Sequence, residues 1–117
     1  MSVIEKAAAQ FRERLNGELR SIDVPEWSEK DKPFKVYFKP LINFKAQEKI
    51  YTLVNAGKAS EAICQTLIIR ALDIDGKNLF RQHDLQTLMH ESDPDVVGRI
   101  ITAMTPDDDD ADTLKKS

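Results

Sequence analysis

With one cysteine and four glycines in 117 residues, several kinds of protein are excluded at once. A lone thiol, Cys64, makes no internal disulfide, so a reducing compartment is expected. Four glycines are too few for a phosphate-cradling loop, and no P-loop, G-x-G-x-x-G or G-x-S-x-G pattern occurs. No apolar run nears the roughly 18 residues that a membrane span needs. The longest, around Leu67-Ile68-Ile69, is cut by Arg70. The start, MSVIEKAAAQFRERL, has no continuous apolar centre, so a secretory signal is not expected.

Net charge is also lacking once the chain is divided. Residues 106–117 hold five aspartates and two lysines, and without them the body carries fifteen residues of each sign. A neutral body argues against a phosphate-binding surface that works by releasing counterions. The local exception is residues 30–49, with lysines at 30, 32, 35, 39, 45 and 49 against Asp31 and Glu48. The aromatics between them would pack inward while the lysines line a solvated edge, where they discourage stray strand pairing.

What is present is patterning. Ile4, Ala7, Ala8, Phe11 and Leu15 recur at helical spacing, predicting an amphipathic helix over 2–16 that stops at Asn16-Gly17, with glycine as a left-handed cap. The period then changes to two. Residues 19–24 and the alternating Phe34-Lys35-Val36-Tyr37-Phe38-Lys39 read as an antiparallel hairpin over about 18–40 with a long charged loop, closed by Pro40. From 43 to 105 the pattern is helical. Asn43 caps a helix carrying Phe44, Ile50, Tyr51, Leu53 and Val54 that ends at Gly57. Ser60 is expected to cap the next, through Leu72, apolar around most of its circumference and hence the buried centre. Residues 73–78 are turn composition, His83–Glu91 a short helix, and Ser92-Asp93-Pro94 the start of a last helix bearing Val96, Val97, Ile100, Ile101 and Met104. The expected fold is therefore α+β and mainly α: a helix, a hairpin and a bundle of about four helices in one domain, 1–105. The acidic stretch 106–117 is expected to be a mobile tail.

No catalytic, metal or cofactor assembly is expected. His83 and His90 are seven apart, wider than the three or four of a helical zinc pair. Asp73 and Asp75 precede Gly76 too early for a calcium loop. Cys64 lies in the most apolar helix and reads as a small buried hydrophobe. Trp27, beside Pro25 in the charged loop, either folds back over the core or anchors a partner.

Residues 24–104 resemble the tail assembly chaperones of lambda-like long-tailed bacteriophages. The resemblance rests on the order of parts: a two-stranded segment rich in aromatics and lysines, the junction Gly57-Lys-Ala-Ser-Glu-Ala62, the run Asp75-Gly-Lys-Asn-Leu-Phe80, and a helix opened by Asp93-Pro94. It implies a non-enzymatic protein of the host cytoplasm, absent from the mature virion. Such a protein binds the tape measure protein, keeps it soluble and helps recruit tail tube subunits, in many relatives through a longer, frameshifted form. Weak self-association fits many copies on one long client. Trp27, Phe34, Phe38, Leu88, Met89, Ile101 and Met104 are the candidate contact residues, because a helical client needs apolar anchors. The competing classes are a small nucleic-acid-binding regulator and a structural component of the tail.

Overall fold

The structure is a computed structural model that describes residues 2–104; the acidic stretch 106–117 lies outside them. Helix α1 spans Val3–Leu15. Ser2 caps it: its hydroxyl accepts from the Glu5 amide, and the Glu5 carboxylate accepts from the Ser2 amide in return. The helix ends at Asn16, but Gly17 is not left-handed; Asn16 closes the last turn through the Arg12 carbonyl at 2.9 Å.

Strands β1 (Arg20–Asp23) and β2 (Lys35–Phe38) pair antiparallel, with Ile22 opposite Val36 and Arg20 opposite Phe38. Their loop is folded rather than loose. A single turn, Pro25–Trp27, seats Trp27 edge-on to Phe34 and Phe80 at 6.1 and 6.0 Å between ring centres. The Ser28 hydroxyl accepts from the Phe34 amide at 2.8 Å and donates to the Val24 carbonyl at 3.2 Å. Across the loop, Arg99 grips Glu26 with two hydrogen bonds and holds that carboxyl down at about 2.

Helix α2 covers Phe44–Asn55, with the Asn43 side chain accepting from the Ala46 amide at 2.9 Å. Gly57, at φ +78°, makes the tight reversal into α3, Ala59–Arg70. Lys58 occupies the cap position expected of Ser60, which sits inside the first turn. The helix also stops before Leu72. Ala71 and Leu72 run extended, and Leu72 exchanges two backbone hydrogen bonds with Tyr37, 2.9 and 2.7 Å, on the free edge of β2. The turn at 73–78 is held by Asp73, whose carboxylate accepts from the amides of Asp75 and Lys77. This added rung, invisible in the sequence pattern, ties the hairpin to the helical part.

Helix α4 (Leu85–Glu91) follows a one-turn segment at Gln82–Asp84, and α5 (Pro94–Met104) starts on Asp93, which accepts from the Asp95 amide. The core gathers Val24, Val36 and Phe38 from the hairpin, Leu67, Ile68 and Ala71 from α3 and its exit, and Leu88, Val96, Val97, Ile100 and Met104 from α4 and α5. Cys64 is buried in it, and burial raises its thiol above the ordinary value. The architecture is thus mainly α with a two-stranded sheet, and α3 is its centre. Among the described residues no helix is long and apolar enough to cross a membrane.

Candidate functional site

The seven sequence-predicted contact residues divide by depth. Phe38, Leu88 and Met104 belong to the core, between 2% and 7% exposed, and substitution there tests folding rather than contact. Trp27, Phe34, Met89 and Ile101 are partly buried against the same core. Trp27 resolves toward folding back, since both its ring neighbours are in the domain. Leu88 and Met89 border a small depression with Ile63 and Pro94, of about 110 Å³. The seven are not brought together on one open face.

The open apolar surface is elsewhere. Helix α1 buries none of its residues, and neither does α2. Phe44 is 87% exposed, Ile4 75%, Tyr51 61% and Val54 51%. A scattered exposed leucine needs no explanation; several large apolar side chains on adjoining elements do. At about 100° per residue, Phe44 and Tyr51 share one side of α2, while Ile50 and Leu53 turn away from it and are half-buried. Helix α2 therefore has more apolar circumference than its packing on α3 uses.

Between α1 and α2 runs a cleft of about 480 Å³ whose walls are Ile4, Ala7, Ala8 and Phe11 on one side and Ile42 and Phe44 on the other. It continues past Phe11 and Ile42 into a second hollow of about 270 Å³, lined by Leu15, Leu41, Lys39 and Arg70 among others. The Arg70 guanidinium donates to the Lys39 carbonyl at 3.0 Å and lies 5.8 Å over the Phe38 ring. Its Nε is buried without a hydrogen-bond partner among the described residues, and burial pulls its pKa below the ordinary value. No carboxylate among the described residues is within ion-pair distance of it.

An apolar stripe shows that a helix face avoids water without naming what covers it, so the α1 and α2 stripes alone did not mark an open surface. The width of the apolar arc on α2 was the available signal. Of the lysines at 30–49 all but the half-buried Lys39 are exposed, two of them in ion pairs: Lys35 with Asp23 at 3.4 Å and Lys45 with Glu48 at 3.6 Å.

No family model and no curated protein matches this sequence. Among solved structures, the chain is similar to the tail assembly chaperone of bacteriophage HK97, with a TM-score of 0.60 over 86% of this chain and 91% of that one, at 17% identity. The two share a fold.

Proposed function

We propose that this chain is a phage tail assembly chaperone that covers apolar surface on a long helical client, the tape measure protein, until the tail tube encloses it. The observation that carries the proposal is the open apolar face of α1 and α2 on a domain with the fold of the HK97 chaperone. A helical client with exposed apolar stripes would otherwise aggregate, and a face of this kind supplies matching anchors. Many copies on one client give high avidity from weak single contacts, so each can later be displaced. Recruitment of tube subunits, a frameshift-extended form as their binding partner, weak self-association, action in the host cytoplasm and absence from the finished virion belong to the same proposal. So does a non-enzymatic role. The half-buried Trp27, Phe34, Met89 and Ile101 would serve as secondary contacts.

Co-expression tests it. The tape measure protein of the same phage should be found in the soluble fraction with this chain and in the pellet without it. A client equally soluble alone, or a phage that builds normal tails with the gene deleted, would sink the proposal.

A further inference from the structure

We infer that the cleft between α1 and α2 takes an amphipathic helix bearing a carboxylate beside its apolar stripe, and that Arg70 receives that carboxylate. The inference deepens the proposed function by stating which client segment fits. The two hollows form one trough, since Phe11, Ile42 and Asn43 line both. One end is apolar, walled by Ile4, Ala7, Ala8 and Phe44. The other end holds Lys39 and Arg70, and among the described residues no aspartate or glutamate lines either hollow.

Arg70 is not a loose surface cation. The Lys39 carbonyl and the Phe38 ring fix its guanidinium, so its planar fork is already oriented, and less entropy is lost when a carboxylate docks. A half-buried guanidinium with no acidic partner among the described residues has given up part of its hydration without an ionic replacement from them. A carboxylate from outside supplies one. Apolar walls leading to a fixed cation therefore define a ligand with apolar anchors at helical spacing and one acid at the Arg70 end. The chain's own acidic stretch is a poorer match. Residues 106–117 carry five aspartates but only Leu114 as a large apolar side chain, which cannot fill an apolar cleft.

The test titrates the full-length chain with labelled, overlapping peptides of about seven helical turns from the tape measure protein of the same phage. Fluorescence anisotropy is read at about 50 mM and about 500 mM salt. The expected binder carries a glutamate or aspartate next to its apolar stripe. Changing that acid to its amide, or Arg70→Gln, should weaken binding about tenfold at low salt and much less at high salt. Both changes together should cost no more than either alone. Phe44→Ser, at an exposed position, should weaken binding at both salts. The change in the peptide leaves the chain intact, so the test stands even if Arg70→Gln disturbs folding.

A binder indifferent to its own acid and to Arg70 overturns this inference while leaving the proposed function in place. If Phe44→Ser instead dissociates a dimer and spares peptide binding, the cleft belongs to a second copy and the inference falls. If neither the peptides nor the intact client bind the unaltered chain, both fall.

Discussion

Phe38 and Phe44 are six positions apart, and their opposite fates define the residue scale. Phe38 is sealed under the hairpin, with the Arg70 guanidinium above its ring, whereas Phe44 stands in solvent at the start of α2. Phe38→Ala should cost about 3–5 kcal/mol through lost transfer energy and the cavity left behind. Phe44→Ser should leave the melting temperature nearly unchanged, as surface substitutions do. Thermal melts of the two variants check this, and a large loss at Phe44 would show that the side chain is covered in solution. The Glu26–Arg99 pair makes a pH prediction. Arg99 lowers the Glu26 carboxyl from its ordinary 4.5 to about 2. A depressed carboxylate contributes stability that is complete above its unfolded value and fades as the pH falls through its folded one, here between 4.5 and about 2. Carboxyl NMR should find Glu26 titrating near the lower figure, and returning toward 4.5 in Arg99→Gln. An unchanged midpoint would mean that Arg99 is not the cause. Both side chains are about half exposed, so added salt should blunt the effect.

At the scale of elements, stability is unevenly spread. Helix α3 touches the hairpin through its exit, and it packs against α2, α4 and α5, whereas α1 has no fully buried residue and only Ala9, Phe11 and Leu15 half-buried. A thirteen-residue helix is marginal alone in water. Backbone amides of α1 should therefore exchange with deuterium much faster than those of α3, despite the Ser2–Glu5 capping box. Equal protection of both helices would show that α1 is held by contacts absent here. The elements also show what the sequence could carry. Periodicity, the Asn43 cap, the turn at Gly57 and the Asp93-Pro94 start were legible because each is a local physical rule. Two features were not. The rung between Leu72 and Tyr37 joins residues 35 apart through backbone atoms alone, so no side-chain pattern encodes it. The end of α3 at Arg70 follows from that rung, which needs Leu72 extended where its apolar neighbours favour one more helical turn.

For the whole molecule, the same limit explains why three of the seven candidate contact residues, Phe38, Leu88 and Met104, lie in the core. An amphipathic stripe records that a face avoids water, and the chain's own core is its commonest cover. Leu88 and Met104 obey that rule, while Ile4, Phe44 and Tyr51 do not. Two halves result: a hairpin with α3, α4 and α5 that buries most of its large apolar residues, Ile63 and Ile74 excepted, and an α1–α2 face that leaves Val3, Ile4, Phe44, Tyr51 and Val54 open. On this account the second half is the working surface. Hydrogen–deuterium exchange on the complex with the tape measure protein tests that most directly. Added protection should fall on α1, on α2 and on the Leu41–Asn43 segment that lines the cleft. Protection confined to α4 and α5, or to the hairpin loop around Trp27, would contradict it.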